Sequence, residues 1–169
     1  MASRYTSRRL VNCAGVALPA DVIQSPLEEW RKPFDIMFNG AVRMTRLAVG
    51  LMPDGGRMIH ITSIHGERAE AGASAYAMAK AALNQFCRNL ALELGPRGIL
   101  VNAITPAAVM TAMADQISDE RKRAILARIP MARFLEADEV AAQVAWLCSA
   151  DCSFATGAVF DLSGGRATY

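Results

Sequence analysis

Apolar residues in this chain come in short blocks that alternate with longer stretches of three-and-four spacing. Arg9-Leu10-Val11-Asn12 reads as a short strand ending at Cys13-Ala14-Gly15. Ser25-Pro26-Leu27-Glu28 carries a helix start, with Ser25 as cap, Pro26 at the first helical position and Glu28 completing a capping box. Helical periodicity then runs from Phe34 to Met52, and Pro53-Asp54-Gly55-Gly56 makes a turn. Met58 to Thr62 is β-rich and predicts a buried parallel strand. A loop through Gly66 and Gly72 leads to a helix over 74–94, with Leu83, Cys87, Leu90 and Leu94 on one stripe. Gly95-Pro96-Arg97-Gly98 stops that helix. Beyond it the pattern predicts a strand over 99–104, a helix over 110–128 ended by Pro130, a helix over 138–148, and a last strand over 158–162 closed by Gly164-Gly165.

Strands alternating with helices define an α/β protein: a parallel sheet with helices on both faces, in one domain over 1–169. Such sheets place ligands beyond the carboxyl ends of their strands. Composition agrees, since 53% hydrophobic and 20% charged residues exclude disorder. A net charge of +2 is too small to argue for nucleic acid or an anionic membrane surface. Arg4, Arg8 and Arg9 have only Tyr5 among them and read as solvated. No apolar run approaches the roughly 20 residues of a membrane span, and no secretory h-region follows the first charges. Cys13, Cys87, Cys148 and Cys152 form no CxxC pair, and three of them lie in apolar stretches. A reduced, cytoplasmic protein without a metal site is expected.

Tyr76 and Lys80 stand four apart at the start of the helix over 74–94, so they share a face. A phenol with pKa near ~10 becomes a usable acid–base group when a neighbouring ammonium favours its phenolate. Alone, the pair also fits a packed Tyr beside a solvated Lys. Ser63 shifts the balance. It directly follows the strand over 58–62 and precedes Tyr76 by thirteen residues, where its hydroxyl can bond a substrate oxygen within reach of Tyr76. Thr62, one residue earlier, points to the opposite side of the strand.

The blocks I-T-S-I-H-G and S-A-Y-A-M-A-K-A-A-L at this spacing resemble the catalytic segment of the short-chain dehydrogenases/reductases, nearest the 3-oxoacyl-reductase and sugar-dehydrogenase type. Other blocks continue the likeness in order: V-N-C-A-G at 11–15, Asn39 in F-D-I-M-F-N-G, R-G-I-L-V-N-A-I-T-P at 97–106, Val109-Met110-Thr111, and A-T-G-A-V-F-D-L-S-G-G at 155–165. The resemblance implies strands four to seven of a Rossmann-type fold. It also implies an NAD- or NADP-dependent oxidoreductase that interconverts an alcohol and a carbonyl on a small-molecule substrate. Tyr76 is then the acid/base, and Lys80 lowers its pKa and holds the nicotinamide ribose. Ser63 polarises the carbonyl, and Asn39 supports a water relay to Lys80. Asn12, Cys13, Ala14, Gly15, Pro106, Ala107, Val109 and Thr111 line the cofactor. Blander readings stand beside these: Asn39 bonding backbone in mid-helix, Thr111 capping the next helix, His65 as a solvated loop residue, Met110 and Met113 as filling or lid.

Three departures from the family pattern matter. Cys13 replaces the second asparagine of N-N-A-G, and Ala107 replaces the glycine of a Pro-Gly turn. The sequence contains no G-x-G-x-x-G or T-G-x-x-x-G-x-G, the turn that places a helix N-terminus on the cofactor's pyrophosphate. The chain reads as starting at the family's fourth strand, which leaves Arg9–Asn12 as an open edge. The expectation is a homo-oligomer, dimer or tetramer, rather than a monomer. The alternative to an enzyme is a truncated, inactive relative that folds only as an oligomer.

Overall fold

A computed structural model describes residues 8–18, 22–111 and 118–168. Four parallel strands form the central sheet: β1 (Arg9–Asn12), β2 (Arg57–Ile61), β3 (Leu100–Pro106) and β6 (Val159–Leu162), in the order β1-β2-β3-β6. A two-stranded parallel ladder, β4 (Val109–Met110) with β5 (Leu135–Glu136), sits outside it. The connecting helices are α1 (Leu27–Pro33), α2 (Gly40–Leu51), α3 (Ser74–Leu94), α4 (Asp119–Leu126) and α5 (Ala137–Leu147).

Alternation along β2 and β3 assigns each face its helix. Met58, Val101 and Ala103 pack with Cys87, Leu90, Ala91 and Leu94 of α3. Ile59 and Ile104 pack on the other face with Leu147 of α5 and with Cys152. Helices therefore cover both faces, and the inner strands can be apolar throughout. Each fully buried Ile, Leu or Met here contributes roughly 1.5–3 kcal/mol. Asn102 is a buried polar exception: its amide donates to the Ala155 carbonyl at 2.7 Å and accepts from the Ala158 amide at 3.1 Å, tying the loop before β6 to the sheet. After α3, Gly98 adopts φ 63°, which only glycine takes cheaply, and the chain turns into β3.

Several boundaries differ from the sequence reading. The N-cap position of α1 falls on Pro26, one residue after Ser25, and Pro26 itself makes no side-chain cap bond. The helical run over 34–52 is in fact continuous with α1 and changes pitch within it. Pro33 has no N–H to give to the preceding turn, and residues Phe34–Asn39 follow as a π-helix before α2 resumes α geometry. The helix expected over 110–128 is described only as α4, over Asp119–Leu126. Val109–Met110 is a strand, residues 112–117, including Met113, lie outside the described residues, and α4 begins only after Ser118, whose hydroxyl accepts from the Arg121 amide. The residues that Thr111 was expected to cap lie outside the described residues. Arg4 and Tyr5 also lie outside the described residues, whereas Arg9, expected to be solvated, donates from Nε to the Cys148 carbonyl at 3.2 Å.

The outer side of β1 has no ladder partner among the described residues. Val11 on β1 and Met44, Leu47 and Leu51 on α2 are exposed apolar residues at this end of the molecule. On the inner side of β1, Asn12 points inward, its amide 3.4 Å from the Thr45 hydroxyl and 3.3 Å from His60 Nδ1. His60 is fully buried with Phe86 edge-on to its ring, and its Nε2 has no hydrogen-bond partner among the described residues. Burial, and then the Lys80 charge, push its pKa from 6.5 down to about 4.

His60 therefore folds neutral, while the unfolded chain binds its proton near pH 6.5. The stability it contributes is complete above pH 6.5 and is lost as pH falls toward 4, a loss of about 3 kcal/mol by linkage. In urea titrations across this window, His60→Gln should flatten the acid side of the stability curve. An unchanged slope would assign the acid loss to other groups.

Candidate active site

Ser63 directly follows β2 in an extended conformation (φ −170°, ψ 155°), and its hydroxyl accepts from the His65 amide at 3.2 Å. That bond caps the short 3-10 turn Ile64–Gly66 and uses the Ser63 oxygen as acceptor, which leaves its proton to be donated to the Tyr76 oxygen or to a ligand oxygen. Thr62 does turn away, its hydroxyl donating to the Ile104 carbonyl at 2.9 Å. Tyr76 stands in the first turn of α3, half-buried, and Lys80 one turn later is almost wholly buried. The Lys80 ammonium donates to the Ile61 carbonyl at 2.9 Å and lies 5.7 Å from the Tyr76 ring centroid. Lys80 is thus not the solvated lysine of the bland reading.

Ser63, Tyr76, Ala107, Val109 and Thr111 line one cleft of about 570 Å³ at the carboxyl ends of β2 and β3. Cys13, Ala14 and Gly15 are exposed beyond the end of β1. A Cβ on Gly15 would lie 3.7 Å from Lys80 Nζ and 3.8 Å from Met37 Sδ, so this stretch of backbone runs beside the lysine. Pro106 is buried at the end of β3. Asn12 joins the group through its strand position alone, since its side chain is engaged with Thr45 and His60. Asn39 ends the π-helix, and its amide donates to the Asp35 carboxylate at 2.8 Å.

Electrostatics divide the pair. Burial raises the Tyr76 pKa above its usual 10, with the Ser63 hydroxyl pulling the other way. Burial lowers Lys80 to about 8, opposed by the neighbouring Cys13 sulfur. The phenol therefore carries its proton at neutral pH and is poised to donate it. The sequence reading had Lys80 lowering the Tyr76 pKa, but here Ser63 provides the lowering and burial outweighs it.

Three features escaped the sequence reading. His65 is half-buried, its ring edge-on to Tyr76 at 6.0 Å between centroids, rather than free in a loop. Arg166 reaches the cleft from the far end of the chain. Gly66 sets the spacing of the site: a Cβ there would sit 2.9 Å from the Lys80 backbone carbon and 3.1 Å from the Ala81 nitrogen. The thirteen-residue Ser63–Tyr76 separation is held by this contact of loop on helix. The signal for it was the glycine itself, three residues after Ser63.

A family model described as enoyl-(acyl carrier protein) reductase matches residues 8–167. A 2-dehydro-3-deoxy-L-rhamnonate dehydrogenase (NAD(+)) from Sphingomonas sp. is 34% identical over 157 residues, covering 92% of this chain and 62% of the relative. The short-chain dehydrogenase/reductase from Serratia marcescens superposes with a TM-score of 0.92 at 31% identity, over 96% of this chain and 66% of that one. A blue fluorescent protein from a metagenomic library, solved in complex with NADPH, gives 0.89 at 34% identity, over 94% and 64%. The chain belongs to the short-chain dehydrogenase/reductase family, and it spans a little under two thirds of the curated relative's length.

Gly66→Ala should destabilise the fold by about 1–3 kcal/mol, because backbone rather than a flexible side chain meets the new methyl. Gly50→Ala, where nothing lies within 4 Å and the residue is helical, should stabilise by about 0.5–1 kcal/mol. Urea unfolding of both variants checks the pair. Equal effects would remove the close contact as the cause.

Proposed function

We propose that this chain carries the acid–base and nicotinamide-facing part of an NAD(P)-dependent oxidoreductase that interconverts an alcohol and a carbonyl on a small molecule. The observation that carries this reading is the convergence of Ser63 and Tyr76 on one cleft with Lys80 buried behind them. The residues present fit the nicotinamide and ribose end of the cofactor. The cleft wall of Ala107 and Val109 is apolar, suited to a flat ring, and the exposed Cys13–Gly15 backbone runs beside the Lys80 ammonium. No glycine-rich turn for the phosphates occurs in this sequence.

When bound, the cofactor supplies or accepts the hydride. The protein's own residues handle the oxygen and its proton. Ser63 turns its hydroxyl proton from Tyr76 to the carbonyl oxygen as a hydrogen bond. Tyr76 gives its Oη proton as charge develops on that oxygen, and takes one back in alcohol oxidation. Lys80, fixed on the Ile61 carbonyl, sets a positive charge behind the phenolate so formed. Asn39 and the widened π turn stand in this reading on the proton path to Lys80. The cytoplasm, which keeps thiols reduced, suits its free cysteines.

A second reading is favoured by the open β1 edge and the apolar exposure at Val11, Met44, Leu47 and Leu51. In it the chain is a non-catalytic assembly component, stable as a dimer or tetramer. Light scattering after gel filtration should show an oligomer in either case. A well-folded monomer would remove the second reading.

With nicotinamide nucleotide and a carbonyl substrate, Tyr76→Phe should lower kcat by about 10²–10⁴-fold while nucleotide binding persists. Undiminished turnover in that variant would strip Tyr76 of its role. Because the phenol pKa is raised, alcohol oxidation should speed up as pH climbs above neutral, whereas carbonyl reduction should not. Initial rates in both directions across pH 6–10 measure this (roughly the four units below the phenol's ordinary value).

A further inference from the structure

A second cavity of about 470 Å³ adjoins the catalytic cleft. His65, Glu70 and Arg166 line both, so they form the shared wall. The second cavity is rich in arginine. Glu70 is gripped by Arg128 through both carboxylate oxygens at 2.9 and 3.1 Å, by Arg166 at 3.3 Å and by Arg121 at 3.7 Å. Arg68, also in the wall, donates to the Arg166 carbonyl at 2.9 Å. Among the described residues, four cations thus gather around one anion. The Glu70 and Arg166 side chains are only 16% and 11% exposed, so the centre of the cluster is held in the wall, while Arg121 and Arg128 reach it from the surface. His65 Nδ1, in the shared wall, is buried with no hydrogen-bond partner among the described residues.

We propose that this arginine pocket binds an oxyanion, a carboxylate or phosphate, borne by the substrate at a distance from its reacting carbon, with Glu70 holding the guanidinium groups in place until it arrives. Guanidinium forks match such oxyanions with paired N–H donors, and one carboxylate leaves most of those donors free. The location fits, because the wall of the pocket is also the wall of the Ser63–Tyr76 cleft. Calling the ligand a substrate rests on the oxidoreductase reading; the anion site itself does not.

The probe is inorganic phosphate, titrated into the full chain at constant ionic strength while arginine Nε–H signals are followed by NMR. Saturable shifts are expected, weakened about tenfold or more in Arg128→Gln. Arg128 is largely exposed, so this variant should fold. Glu70→Gln, which removes the internal anion, should bind phosphate more tightly. No saturable shift, or equal affinity in Arg128→Gln, overturns the site. Competition then identifies the source. Phosphate should displace acetoacetate but not its methyl ester, and failure to displace acetoacetate overturns the assignment to substrate. Tyr76→Phe separates the two readings. It should keep phosphate binding while turnover falls; absence of nicotinamide-dependent turnover in the unsubstituted chain sinks the oxidoreductase reading and leaves the anion site standing.

Discussion

Lys80 reaches back from α3 to the carbonyl of Ile61, the last residue of β2, at 2.9 Å. Gly66 closes the same joint from the other side by laying the loop after β2 on the α3 backbone at Lys80. Strand end, loop and helix start are thereby locked together, and Ser63 and Tyr76 face each other as a consequence. A buried ammonium is expensive unless it is bonded. The carbonyl bond and the nearby Tyr76 ring offset part of that cost, and the rest appears as a lysine pKa lowered to about 8. The site is thus built around a charge held in a poor solvent and fixed in place by the end of β2.

Much of this was legible in the sequence where local pattern and tertiary demand agree. The helix over 74–94 appears with those bounds because its apolar stripe, its start and its Gly95–Gly98 stop all point the same way. The strand over 9–12 was readable with its bounds, and the one expected over 58–62 appears one residue earlier, over Arg57–Ile61. Illegible features depend on contacts far apart in the chain. Nothing near Glu70 announces Arg128 or Arg166, and nothing near His60 announces that Asn12 and Thr45 meet it. The π-helix was hidden for a different reason: three-and-four periodicity continues through it, and only Pro33 marks the place where the pitch changes. Ser25 misled because a good capping residue one position too early looks the same as one in place.

The two sides of the sheet are unequal in finish. The α3 and α5 faces bury complete clusters. The β1 end shows an unpartnered strand and an exposed apolar stripe on α2. Relatives in the family are about half as long again as this chain. Ser63 and Tyr76 line the cleft at the carboxyl ends of β2 and β3, while the exposed apolar stripe lies on β1 and α2.

The parallel ladder has a consequence for how the chain acquires its structure. Every pair of neighbouring strands in the central sheet joins residues more than forty positions apart. No hairpin exists in it to start the sheet locally, and each strand must wait for an entire crossover to close. The helices therefore have to gather first, with α3 as the longest piece able to hold itself together. Lys80 and Tyr76 ride on that piece, so their one-turn spacing is set by the helix itself and not by the sheet.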